Sequence, residues 1–217
     1  MAVFDDVFAD LDEIVAGVAR NARFAARATI GGGYPGVQAG APGDYARALL
    51  GATAPVLAAV FGGDDGTIGE VTCSFSLVTL APEQLHPQQT VPHVDVADPG
   101  RFAILHYLCG EPFGGTAFFR QQATGLEQVT RENWATYCEA RDRALAGSEQ
   151  RGYPDVDTPG YTQTATIAAR RNRMIVYRSN VLHSGVIAPG IEHSADPTSG
   201  RLTGNLFARY RLASPGL

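Results

Sequence analysis

The sequence predicts a mainly β fold supported by helices, an α+β chain of sandwich or barrel type. Three observations predict it. Apolar residues recur at helical spacing through the first quarter of the chain. From Glu70 onward they alternate with polar ones, the period of a strand with one buried face. Gly, Pro and Asn then break the remainder into short segments, and helices followed by many strands suit a sheet pair covered on one side.

The elements follow in order. Phe4, Val7, Phe8, Leu11, Ile14, Val15 and Val18 predict an amphipathic helix over 4–24, with Asp and Glu early and Arg late. Its stripe is expected to pack on the same domain, with a homodimer contact as the alternative. The glycine-rich run Ile30 to Gly36 lacks the Gly-Lys-Ser/Thr of a phosphate loop, and Gly31 to Tyr34 are read as a lip over a site. A second helix is predicted from Asp44, as its cap, to Phe61, kinked or divided at Pro55. Strands are predicted from Glu70 and over 91–96, 102–109, 116–120, 161–168, 173–178, 185–188 and 202–211. Gly114-Gly115 reads as a turn, and 131–146 as an inserted helix carrying Trp134 and Tyr137. The 217 residues are expected to form a single domain, 1–65 supporting a core over 70–212.

Composition narrows the function. Apolar residues make up 45% and charged residues 18%, an ordinary globular balance. No apolar run approaches the ~20 residues of a membrane span, so no membrane partner is expected. The acidic start, Met1 to Asp6, is unlike a signal peptide, and a cytoplasmic location is expected. A net charge of −5 argues against a nucleic-acid partner. All 17 basic residues are Arg. Cys73, Cys109 and Cys138 are unclustered, which predicts reduced thiols rather than disulfides or a zinc site.

The chemistry begins at His93-Val94-Asp95, answered about 90 residues later by His183. Alternate strand residues point the same way, so His93 and Asp95 can reach one metal. Two imidazoles and a carboxylate with open positions suit a non-haem Fe(II) centre. Arg201, upstream of an apolar run, is a fixed cation for the carboxylate of a co-substrate, since its planar fork matches that group. Arg209 is the fallback and Arg178 a more distant one. Thr203 and Asn205 share the face of Arg201, although Thr is also a good strand residue. His106 has the opposite parity to Tyr107 and is expected between sheet and helix. His86 and His193 read as loop residues, and Arg120 as either a substrate contact or a surface ion pair.

With these residues in view the chain resembles the Fe(II)/2-oxoglutarate-dependent oxygenases, within them the prolyl-hydroxylase-like group. The matching segments are Pro92 to Asp95, Phe102 to Leu108, Gly114 to Arg120, Leu182 to Gly185 and Gly200 to Thr203. It also resembles a smaller, poorly characterised bacterial family with the same motif order, including Tyr34-Pro35-Gly36 and Asn205 to Phe207. The resemblance implies a double-stranded β-helix, or jelly roll, packed on the N-terminal helices. It implies His93, Asp95 and His183 as iron ligands and catalytic centre, and Arg201 as the grip on 2-oxoglutarate, with Thr203 beside it. It places a co-substrate tyrosine at Tyr107, where an ordinary core tyrosine is the alternative. Arg201 follows His183 by 18 residues, further than in many such enzymes, and Pro189 to Gly200 is an added loop placed to fold over substrate.

The function so implied is a dioxygenase using Fe(II), 2-oxoglutarate and O2 to hydroxylate an unactivated C–H of an amino acid, peptide or other small substrate, releasing succinate and CO2. Asp95 favours hydroxylation over halogenation, because a carboxylate fills the position a halide needs. The alternatives are an iron oxygenase that does not use 2-oxoglutarate and a non-catalytic cupin-like binding or sensor module.

Overall fold

The computed structural model describes residues 1–26, 33–61, 67–147 and 152–211. In chain order its elements are β1 (Ala2–Phe4), α1 (Leu11–Asn21), β2 (Ala25–Ala26), β3 (Gly36–Gly40), α2 (Gly43–Phe61), β4 (Thr67–Val78), β5 (Arg101–Tyr107), β6 (Gly115–Gln121), α3 (Trp134–Ala146), β7 (Tyr161–Ala168), β8 (Arg173–Arg178), β9 (His183–Val186) and β10 (Leu202–Arg211).

The strands form two antiparallel sheets. The larger has the order β1-β8-β5-β10-β4-β3-β2 and the smaller β7-β6-β9. An isolated bridge between His93 and His183 extends the smaller sheet beyond β9. From β4 onward the chain alternates between sheets: β4 in the larger, His93 in the smaller, β5 in the larger, β6 and β7 in the smaller, β8, β9 and β10 in turn. Such alternation around a sandwich is the double-stranded β-helix, a jelly roll. The fold is therefore mainly β with helices in support.

Alternation along β5 sets the two faces of the larger sheet. Phe102, Ile104 and Leu108 join the helix-side core with Leu11, Val15 and Val18 of α1 and Leu49 and Leu57 of α2. Ala103 and Tyr107 point into the sandwich with Phe118, Ile175 and Tyr177. The stripe of α1 thus packs on its own domain. His106 lies on the helix side as expected: its Nδ1 is 2.8 Å from the Tyr45 hydroxyl and its Nε2 3.2 Å from Asn172 Oδ1.

Several local expectations are corrected. The first helix does not span 4–24; residues 2–4 form β1 beside β8, and α1 begins only at Leu11. Asp5 pairs with Arg170 and Arg173 there, and the positive φ of 55° at Asp6 turns the chain between the two elements. Phe4, Val7 and Phe8 still reach the helix-side core, but from extended chain and a turn. Residues 91–96 form no strand beyond the His93 bridge, because Pro92 has no N–H to give a ladder. The strand expected over 185–188 runs instead over His183–Val186. Asp44 lies inside α2, which begins at Gly43 and runs past Pro55 undivided. The β2–β3 hairpin is unannounced by the sequence pattern. Gly36 opens β3 because a Cβ there would sit 2.0 Å from the Leu77 carbonyl oxygen. Gly31 and Gly32, the first part of the expected lip, lie outside the described residues, as do 62–65 of the supporting region and residue 212 of the core. Among the described residues no helix is long and apolar enough to cross a membrane.

Candidate metal centre and anion pocket

The site lies inside the sandwich, in a cavity of about 630 Å³ between the two sheets and α3. Its backbone is fixed first. His93 and His183 exchange both backbone hydrogen bonds at 2.9 Å, and the Asp95 amide donates to the Ser179 carbonyl at 2.9 Å. These bonds hold the loop 92–96 against the segment leading into β9, so His93, Asp95 and His183 converge although only His183 is on a strand. One ligand atom from each lies within 4.8 Å of the others, and His183 Nε2 is 3.6 Å from Asp95 Oδ1. His93 and Asp95 open onto the cavity and His183 is buried.

The surroundings prepare these groups as ligands. His183 Nδ1 donates to the Val181 carbonyl at 2.9 Å, which leaves Nε2 with its lone pair toward Asp95. Tyr177 stands edge-on to the His183 ring at 4.8 Å. Burial pushes both imidazoles down to about 4, so they are neutral at pH 7. Burial pushes the Asp95 carboxyl up to about 6, with His93 pulling it back. A carboxyl on the cavity wall beside two imidazoles is a donor set that a divalent cation would relieve.

On the opposing sheet Arg201, Thr203, Asn205 and Phe207 all line the cavity, as the alternation of β10 requires. Arg201 is 3% exposed. Its Nε donates to the Phe113 carbonyl at 3.0 Å and its Nη2 to that of Gly115 at 2.7 Å. No carboxylate among the described residues pairs with it. The fork is thus clamped by backbone while its charge stays uncompensated. Asn205 Nδ2 donates to Ser76 Oγ at 2.8 Å and to Thr203 Oγ1 at 3.2 Å, which frees the Thr203 O–H to donate into the cavity. Tyr34 lines the same cavity, and its buried hydroxyl has no hydrogen-bond partner among the described residues. Burial pushes this phenol up while the Arg201 charge and the Thr203 hydroxyl pull it back. Both are therefore close, without completing a bond of normal geometry.

The other expected residues fall as follows. The Tyr107 hydroxyl is 2.6 Å from Thr116 Oγ1, and Tyr107 itself is absent from the cavity wall, which Thr116 lines. Arg209 lies 3.4 Å from Asp98 and Arg178 donates to the Pro99 carbonyl; neither lines the cavity. Arg120 pairs with Glu127 at the surface. His86 accepts from the Gln88 amide in an exposed turn. His193 is half-buried rather than exposed, stacked on Tyr153 at 6.1 Å. Residues 189–200 add no wall of their own; they touch the site through that stack, since Tyr153 lines it. Trp134 and Tyr137 line the cavity. Arg141, Tyr153 and Tyr177 are among the lining residues that the sequence pattern did not mark, as are Gln38, Gln88 and Gln89.

Comparison with known proteins adds the following. No curated protein matches the sequence. Among solved structures, the viral collagen prolyl hydroxylase of Paramecium bursaria Chlorella virus-1, in its 2OG complex, is similar at 12% identity and a TM-score of 0.40, over 98% of this chain and 96% of that one. An N-substituted L-amino acid dioxygenase from Burkholderia ambifaria is similar at 12% identity and a TM-score of 0.34, over 79% of this chain and 59% of its own. The family model that fits spans residues 1–208, so the chain belongs to the family of unknown function DUF6445.

Proposed function

We propose that the chain is an Fe(II)/2-oxoglutarate-dependent dioxygenase that hydroxylates an unactivated C–H of a small molecule or peptide. The observation that carries this reading is the pairing, in one cavity, of the His93, Asp95 and His183 cluster with the buried, uncompensated Arg201. A metal-only binding module has no need of the second feature, and burying an unpaired guanidinium is costly without an anion to receive it.

Bound there, Fe(II) with 2-oxoglutarate and O2 supplies the oxidative chemistry, in which 2-oxoglutarate is converted to succinate and CO2 as the substrate gains a hydroxyl. The protein's part is binding and orientation. His93, Asp95 and His183 hold the metal as two neutral nitrogens and a carboxylate. Arg201 takes the far carboxylate of 2-oxoglutarate, with hydroxyl donors from Thr203 and Tyr34. Tyr107 acts one step back, through Thr116. Tyr177, beside His183, and Phe207 add aromatic surface to the cavity wall.

The test is an anaerobic titration of the Fe(II)-loaded protein with 2-oxoglutarate, read by visible absorption. A weak charge-transfer band is expected, absent in His183→Ala and requiring far more 2-oxoglutarate in Arg201→Ala. Bound iron without a band in the wild type would sink the 2-oxoglutarate assignment.

A further inference from the structure

Helix α3 presents one face to the cavity. Trp134, Tyr137 and Arg141, at i, i+3 and i+7, all line it. Tyr137 ties this face to the metal loop, its hydroxyl donating to the Pro92 carbonyl at 3.3 Å, next to His93. One turn on, the Arg141 guanidinium carbon lies 5.7 Å from the Tyr137 ring centroid. The Arg141 side chain is only 17% exposed, and its ion partner among the described residues is Asp142, which is 62% exposed. That pair uses Nε and Nη2 on a single carboxylate oxygen at a solvated position. Such a contact is weak and easily exchanged for another carboxylate.

The charge census of the wall points the same way. Asp95, a metal-cluster member, is the one acidic side chain among the described lining residues, against Arg201 and Arg141 as fixed cations. Arg201 is clamped on the larger sheet and Arg141 stands on α3, so the two cations belong to different walls. Trp134, Tyr137 and Val94 add aromatic and aliphatic surface to the wall that Arg141 and the metal cluster share. Asp142, which pairs with Arg141, is not among the lining residues.

We propose that Arg141 is the substrate-binding residue of this site, and that the substrate is a carboxylate with an apolar body. The proposal rests on the dioxygenase reading for what happens to the bound molecule, but not for the binding itself. A planar guanidinium over a tyrosine ring offers a bidentate grip on the carboxylate. The apolar body then runs along α3 toward the Pro92 loop. A carboxylate held at Arg141 leaves the remote C–H bonds of the substrate facing His93 and Asp95.

The test uses the chain's single tryptophan, Trp134, which is itself in the wall. Its fluorescence is titrated with N-acetyl-leucine, N-acetyl-phenylalanine and N-acetyl-proline, each as free acid and as primary amide, with the full-length protein in the presence and absence of Fe(II) and 2-oxoglutarate under argon. At least one acid is expected to give a saturable change and to bind about tenfold or more tightly than its amide. Arg141→Gln is expected to remove that preference, bringing the acid to the affinity of the amide, and Arg141→Lys to restore part of it. Equal binding of acid and amide, no saturable response from any acid, or an acid preference that survives Arg141→Gln overturns the proposal. Binding without metal keeps it separate from the absorption titration, which tests the dioxygenase reading alone.

Discussion

At the scale of single residues, Tyr34 and Tyr107 divide the hydroxyl chemistry of the anion site. The Tyr107 phenol, raised to about 12 chiefly by burial, already has Thr116 as partner. The Tyr34 hydroxyl has none among the described residues and is left facing Arg201 and Thr203. A buried donor without an acceptor is costly, and an incoming carboxylate removes that cost. Tyr34→Phe is therefore expected to weaken 2-oxoglutarate binding to the Mn(II)-loaded protein by about tenfold, as read by calorimetry, while Tyr107→Phe changes it less. The reverse ranking would return the co-substrate role to Tyr107. This division was only half legible in the sequence. Parity along β10 marks Arg201, Thr203 and Asn205 as neighbours, because a strand repeats every second residue. The glycine-rich run is read as a lip, and Gly33 and Tyr34 do line the cavity, but the spacing does not say that Tyr34 arrives beside Arg201, since its approach depends on how β3 pairs with β4.

Among the elements, the strands were legible where punctuation is sharp. Residues 161–168, 173–178 and 202–211 fold as strands with the bounds the pattern predicts, set off by Gly160, Asn172 and Gly200. Asn172 and Gly160 both take positive φ, the turn conformation that ends a strand. The N-terminal segment misled because Phe4 and Phe8 mimic helical spacing although Phe4 ends β1 and Phe8 lies in the connection before α1. The contact of β10 with α2 makes a prediction at this scale. A Cβ at Gly204 would lie 2.0 Å from the Tyr45 hydroxyl, which bonds His106. Gly204→Ala should cost about 2 kcal/mol in denaturant unfolding, through overpacking and loss of that bond. Combined with Tyr45→Phe, which removes the clashing oxygen, the loss should be clearly less than the sum of the two single losses. Strict additivity would mean that α2 shifts as a body instead.

For the molecule as a whole, burial of histidine sets the response to acid. His106 sits in the helix-side layer, fully buried, with its pKa pushed down to about 4, mainly by loss of solvent. Its unfolded form takes a proton near 6.5, so between 6.5 and 4 the unfolded chain binds protons the folded one refuses. Stability is therefore lost as pH falls through that window, by about 2 kcal/mol from this group between pH 7 and 5. His93 and His183 add the same sign in the metal-free protein, and Asp95, raised to about 6, the opposite one. Urea unfolding at pH 7 and pH 5 should show a smaller drop in His106→Gln than in the wild type. An unchanged drop would assign the acid sensitivity elsewhere.

The short strand β1 has a consequence for the same molecule in company. Its three residues, Ala2 to Phe4, cover the outer side of β8 and so occupy the last ladder position of the larger sheet. Without them β8 would present a row of unpaired amides and carbonyls along Met174, Ile175 and Val176, an apolar edge suited to recruiting a strand from another molecule. Asp5, held by Arg170 and Arg173, fastens this cover from its far end. Loosening those exposed ion pairs is therefore expected to show less in the stability of one chain than in how readily β8 is offered to another.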